Sequence, residues 1–396
     1  MKALRFSPPE IAWTPELRWI LARAFGAPTL HFGEPFDVAE AVRLATVFNL
    51  APRIGARTPE AVLASEAGAE AALFRRAAHL TVAQNLYRLE AVRAVARTAE
   101  KGGIPFVILK GLALEALQLV PPGARPTSDL DLLVPERLIP RFLELLVTDG
   151  WVPSENPDQE QHLDPLIHPR LGMIEVHRLI LGVRLSGSRR SLDHDTLSAS
   201  GLTQPIPGFP ELVTAPVGAI LLAHALVHGL VQHGNAPGSY PLFRVLTDVV
   251  DLGSSPEALA QAGAYLREID AEDLAAVGNL ARGLRSGLPS ALSGAPYSVE
   301  GRPDPEVGLL RHIVAGTLDA DYALGLKVQG VFGPISDLPS LPAALRATWQ
   351  ALALSRKQVD KIYGPPRTRL GYLGRQLARP FDLAGRLVRS LAARRR

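Results

Sequence analysis

VILKGLALEALQLVPPGARPTSDLDLLVP (residues 107–135) is the stretch whose reading decides the fold. It carries two carboxylates, Asp129 and Asp131, followed at once by Leu132, Leu133 and Val134. That apolar run reads as a buried strand bearing the aspartates. Side chains at i and i+2 of a strand point to the same face, so Asp129 and Asp131 are expected side by side. Two buried carboxylates repel and are costly unless a cation neutralises them. A divalent metal does this, and Mg2+ prefers oxygen ligands. Paired carboxylates that hold a metal against phosphate point to phosphoryl or nucleotidyl transfer.

Upstream of the pair, residues 104–109 (IPFVIL) are β-formers preceded by the turn signal Gly102-Gly103. Lys110-Gly111 breaks the run, and residues 112–119 (LALEALQL) are strong helix formers. Strand, glycine turn and helix place free backbone N–H groups near Gly111, an arrangement suited to phosphate. Lys110 adds a point charge there. Arg125, after the Pro121-Pro122-Gly123 break, can bind phosphate or form a salt bridge that positions the aspartates. Downstream, a helix is expected near 136–147. A hairpin then runs through 162–169 and 173–180, turning near Leu171-Gly172. Glu175 alternates with Ile174 and Val176 and shares a strand face with His177. A glutamate on a solvent face would look the same; a third metal ligand is the functional reading. His177 would orient Glu175 or contact substrate.

The order Lys-Gly, helix, Arg-x-x-x-Asp-x-Asp-Leu-Leu-Val resembles the uncharacterised nucleotidyltransferase family within the polymerase-β-like nucleotidyltransferase superfamily. The resemblance covers residues 104–180. It implies metal ligation by Asp129, Asp131 and Glu175, with Glu175 also acting as the base for the attacking hydroxyl. Beside the resemblance, the residues themselves assign nucleotide binding to Lys110, Gly111, Arg125 and His177, with Mg2+ or Mn2+ as cofactor. One position departs from the superfamily pattern. Leu112 stands where a serine hydroxyl usually follows the glycine and contacts the triphosphate.

With 396 residues the chain can hold two or three domains, and 47% hydrophobic residues place it among globular proteins. Zero cysteines exclude disulfides, Cys-liganded zinc and thiol catalysis. A cytoplasmic protein is expected, since the first residues, MKALRFSPPEIAW, show no signal-peptide core. The longest apolar stretch, PVGAILLAHALVHGLV (216–231), falls short of the ~20 residues of a spanning helix and reads as a buried helix. His224 and His228 lie at i and i+4 on it, a spacing open to zinc, to substrate contact or to plain burial. Arg244 and Asp248 share the same spacing and read as a helix ion pair.

The expected fold is α+β: a small mixed sheet with helices on one side, embedded in extensive helical flanks. Residues 1–100 form an N-terminal helical region and 101–204 the nucleotidyltransferase core. A helical domain, 205–300, and a C-terminal helical region, 301–396, follow. In the first region, TPELRWILARAFG (14–26) opens on a Thr-Pro cap and closes on Gly26. The tail 367–396 holds nine arginines and one acid, Asp382. A basic amphipathic tail can meet an anionic membrane surface, placing the protein at the inner membrane face, or bind nucleic acid. A solvated tail is the bland reading.

The function expected is metal-dependent transfer of an NMP group from an NTP to an unknown hydroxyl acceptor. Three rivals stand beside it. The first is a Mn2+-dependent glycosyltransferase, which needs several βα units where residues 1–100 read as helix. The second is a non-catalytic module of the same fold serving a biosynthetic pathway. The third is nucleic-acid binding through the tail alone.

Overall fold

The computed structural model describes residues 8–27, 37–154, 163–181, 192–234, 240–267, 269–286, 305–326, 359, 368 and 370–378. Five helices come first: α1 (Pro15–Phe25), α2 (Val38–Val47), α3 (Ala51–Arg57), α4 (Glu60–Ala67) and α5 (Ala71–Gly102). The expected cap of α1 forms: Thr14 Oγ1 accepts from Leu17 N–H at 3.3 Å, Pro15 takes the first turn, and Gly26 closes the helix at φ 76°. A terminal glycine reaches that left-handed conformation without a Cβ penalty. The α+β core follows with β1 (Phe106–Ile108), α6 (Lys110–Ala116), β2 (Leu130–Leu133), α7 (Ile139–Thr148), β3 (Val152–Pro153), β4 (Leu166–His168) and β5 (Gly172–His177). Then come α8 (His194–Ala199), β6 (Thr203–Pro205), β7 (Val213–Pro216) and α9 (Gly218–Leu226), which runs into a π-helical turn at Val227–Gln232. The last elements are α10 (Phe243–Leu252), α11 (Pro256–Gly263), α12 (Ala271–Ser286) and α13 (Pro305–Leu318).

The strands form one mixed sheet in the order β3-β4-β5-β2-β1-β7-β6. β2 lies antiparallel to β1 and parallel to β5. The fold is therefore α+β with a mixed sheet, as the sequence indicates, but helices cover both faces rather than one. Strand alternation explains why. Phe106, Ile108, Leu130, Leu132, Ile174 and Val176 pack with the C-terminal half of α5 and with α6 and α7. Val107 and Leu133 face the other way, into a cluster shared by α1–α3 with α9, α10, α12 and α13. The 32-residue α5 joins both, with Phe74 in one cluster and Val92 and Val95 in the other.

The helices before the sheet and those after it thus share one apolar core. A buried ion pair pins them together. Arg53 on α3 donates to both oxygens of Asp251 on α10, at 2.6 and 2.8 Å, and to the Ala24 carbonyl at 2.8 Å. Within residues 216–231 the expected buried helix forms from Gly218 onward, and among the described residues no helix is long and apolar enough to cross a membrane. Of the basic tail, only residues 368 and 370–378 are described, so the expectations for it lie outside the described residues.

Candidate active site

The parallel register of β2 on β5 builds the site. Asp131 is paired with Glu175, and Leu133 with His177. Alternation along both strands then turns Asp131, Glu175 and His177 toward the same side of the sheet. Among the described residues these three offer oxygen or nitrogen ligand atoms that lie within 4.8 Å of one another. Asp131 and His177 are buried and Glu175 is half-buried.

Both close partners of the Asp131 carboxylate meet the same oxygen. Asp131 Oδ1 accepts from the Lys110 ammonium at 2.6 Å and pairs with His177 Nε2 at 2.8 Å. His177 thus orients Asp131 more directly than Glu175, whose Oε2 is 3.9 Å from the same nitrogen. Asp131 Oδ2 receives no hydrogen bond from a described residue. Burial pushes the Asp131 carboxyl up, but the Lys110 ammonium and the His177 bond outweigh it and hold Asp131 well below the usual carboxylate range. Lys110 responds in the opposite sense: burial pulls it down, and the charges of Asp131 and Asp129 hold it above its ordinary value. Lys110 adopts φ 52°, in the left-handed region that non-glycine residues occupy at a cost.

Asp129 is placed differently from its neighbour. It precedes β2 at a bend, is partly exposed and accepts from Ser128 Oγ at 3.0 Å. It stands outside the close group of three, although its charge reaches Lys110, Arg88, Arg125 and Arg244.

Gly111 lies in the first turn of α6, which starts two residues earlier than residues 112–119 implied and ends at Ala116. It is glycine for reasons of space. A Cβ there would fall 1.4 Å from Arg125 Nη1. Arg125 is buried, and its Nε and Nη2 donate to the two oxygens of Asp248 at 2.6 and 2.8 Å. The expected Arg244–Asp248 pair along α10 is therefore not formed. A planar fork from outside the helix matches both carboxylate oxygens, which a neighbour on the same helix cannot do as well.

Histidines close the other side. His224 on α9 is buried and held down to about 3, by burial first and then by the Lys110 and His177 charges. His228, one turn on, is held well below its ordinary value in the same way, and His233 is lowered to about 4. His228 meets His233 edge-on at 4.6 Å between centroids, and His233 stacks on Tyr240 at 4.7 Å. These imidazoles are neutral at pH 7. Among the described residues no carboxylate joins His224 and His228 in a metal-binding group, so a zinc centre there is unsupported. Sequence reasoning singled out His224 and His228 but missed His233 and Tyr240. His233 caps the π-helical turn, and periodicity of 3.6 does not reveal such a turn.

Residues 34–272 match the family described as uncharacterised nucleotidyltransferase. No curated protein and no solved structure matches the chain.

Proposed function

The chain belongs to the uncharacterised nucleotidyltransferase family, and from that premise we propose that it moves an NMP group from an NTP to a hydroxyl acceptor. The observation that carries the proposal is the β2–β5 register, which sets the Asp131 and Glu175 carboxylates side by side with His177. The donor set fits a divalent cation: two carboxylates supply hard oxygen ligands, and Asp131 Oδ2 is not engaged by any described residue. Asp131 and Glu175 would hold Mg2+ or Mn2+, with Asp129 approaching from the bend before β2. Such an ion, when bound, supplies Lewis-acid stabilisation of charge on the phosphoryl oxygens.

The protein groups do the rest. Lys110 and His177 keep Asp131 ionised and oriented. Glu175 would take the proton of the acceptor hydroxyl, whose oxygen attacks the α-phosphorus. The bond from that phosphorus to the bridging oxygen breaks, and pyrophosphate leaves. A general base works only within hydrogen-bond reach of that hydroxyl, and the half-buried Glu175 is the more accessible of the two carboxylates. On the nucleotide side, Lys110 and Arg125 would contribute charge from within their ion pairs, His177 would orient Asp131, and Gly111 would leave the room that the Arg125 guanidinium takes up. The basic tail would serve location or partner, at an anionic membrane surface on its cytoplasmic side or on nucleic acid, and not chemistry.

A second reading is a non-catalytic nucleotide-binding module. The buried Leu112, where a hydroxyl usually contacts triphosphate, and the Lys110 ammonium already seated on Asp131 favour it. Incubation with each α-labelled NTP, Mg2+ or Mn2+ and cell extract separates the two. Label transferred to an acceptor with release of pyrophosphate, and lost in Asp131→Asn and Glu175→Gln, supports catalysis. Nucleotide binding without transfer from any NTP contradicts it and favours the module.

A further inference from the structure

Four cationic side chains feel the charge of Asp129: Lys110, Arg88, Arg125 and Arg244. Two of them are spent. Lys110 is bonded to Asp131, and both forks of the Arg125–Asp248 pair are closed. The other two are not. Among the described residues, neither the Arg88 nor the Arg244 guanidinium has an ion pair or a hydrogen-bond acceptor. Arg88 Nη1 and Arg244 Nε are buried atoms with nothing to donate to. Buried donors left without acceptors are costly and uncommon in native proteins.

Arg244 belongs to the wall around Arg125, and Arg88 lies on the helix that reaches the Arg125 backbone. Asn85 stands three residues before Arg88 on α5, and its Nδ2 donates to the Arg125 carbonyl at 2.9 Å. Arg244 stands one turn before Asp248 on α10, the residue that grips the Arg125 guanidinium. Its guanidinium carbon lies 5.6 Å from the centroid of the Tyr240 ring, which in turn stacks on His233. That stack orients a cation while leaving its N–H groups unused. Burial lowers both guanidinium pKa values, but an arginine keeps its charge at neutral pH.

The glycine turn, meanwhile, is blocked. The space beside Gly111 is filled by the Arg125 guanidinium, and Leu112 is buried and apolar. Two cationic forks with unsatisfied donors, both within the reach of the Asp129 charge, call for a polyanion with several acceptor oxygens, which is the chemistry of linked phosphates. We propose, on the nucleotidyl-transfer reading, that Arg88 and Arg244 bind the β- and γ-phosphates of the nucleoside triphosphate, a task the glycine turn leaves unfilled here.

Inorganic tripolyphosphate in metal-free buffer is the probe, titrated calorimetrically into the full-length protein and its R88M and R244M variants. Tenfold or greater loss of affinity is expected in each variant. The urea midpoint should stay level or rise, because methionine removes a buried, unpaired charge. R88K and R244K keep the charge without the planar fork and should lose affinity by about threefold or more; they decide the matter if a methionine variant fails to fold. Wild-type protein that does not bind tripolyphosphate overturns the proposal, and so do variants that bind it as the wild type does. Transfer of label from an NTP alongside unchanged variants contradicts these two arginines and leaves the transferase reading intact. Lost binding in the variants, with no transfer from any NTP, does the reverse.

Discussion

Two carboxylates, Asp251 and Asp131, are about equally buried, and their surroundings differ. Asp251 has both oxygens engaged: Arg53 grips it bidentately, and Arg57 adds a third donor at 3.2 Å. The remaining Arg53 Nε donor goes to the Ala24 carbonyl. Every strong contact there ties one helix to another. Asp131 instead has two cationic or polar partners crowded on one oxygen, with Glu175 close by and its second oxygen free of donors from described residues. A buried charge that is saturated holds a fold together. One that is half-satisfied, beside a strained lysine and neutral histidines, is arranged for a visitor.

The sharpest break in that comparison is a pair of matched substitutions. Asp251→Asn leaves Arg53 and Arg57 buried without their acid, and should destabilise the protein by about 3–5 kcal/mol in urea denaturation. Asp131→Asn should lower stability less, because Asp129 still acts on Lys110, while lowering NMP transfer by roughly a thousandfold. Equal stability losses, or transfer surviving in Asp131→Asn, would erase the distinction drawn here.

Gly111→Ala tests the closed pair that stands between the two regions. Its Cβ would strike the Arg125 guanidinium and dislodge it from Asp248. We expect a loss of about 3 kcal/mol, the cost of opening a buried ion pair. Combined with Arg125→Ala, the second change should add little, which a double-mutant cycle reads directly.

Acid should act on the histidine side before it acts on the carboxylates. Burial lowers His224 to about 3 in the folded protein, and His233 to about 4; His312, buried on α13, is likewise lowered to about 4, against an ordinary 6.5. The unfolded chain therefore takes up these protons first. Stability from these groups is fully present above about pH 6.5 and falls as pH drops toward 4, by about 1.4 kcal/mol per pH unit for each histidine. Urea midpoints between pH 7 and 5 check this. A flat profile would mean that these imidazoles are protonated in the fold.

The smallest expected effect concerns the tail. Truncation after Pro366 should leave nucleotide binding unchanged and weaken salt-sensitive association with anionic vesicles or RNA. A large drop in melting temperature with unchanged association would assign the tail to the fold.

Much of this was legible in the sequence, for identifiable reasons. The i, i+2 aspartates ahead of Leu-Leu-Val, the IPFVIL run and the Gly172 turn each mark a strand by local chemistry. Glu175 could be placed on the next strand by alternation alone. What local pattern does not carry is pairing across the chain. Nothing near Arg125 points to Asp248, 123 residues away, and nothing near Arg53 points to Asp251. The nearness of His224 to Lys110 and His177 likewise depends on how α9 crosses the sheet. The glycine at 111 was visible, but its reason was not. It reads as a phosphate turn and is occupied by a guanidinium.

The central claim is that Asp131 and Glu175 form a divalent-metal site of a nucleotidyltransferase. Mn2+ binding to the full-length protein, followed by electron paramagnetic resonance, tests it most directly. We expect a bound Mn2+ in the wild type that is lost in both Asp131→Asn and Glu175→Gln, with each variant still folded by circular dichroism. Folded variants that bind Mn2+ as the wild type does would contradict it.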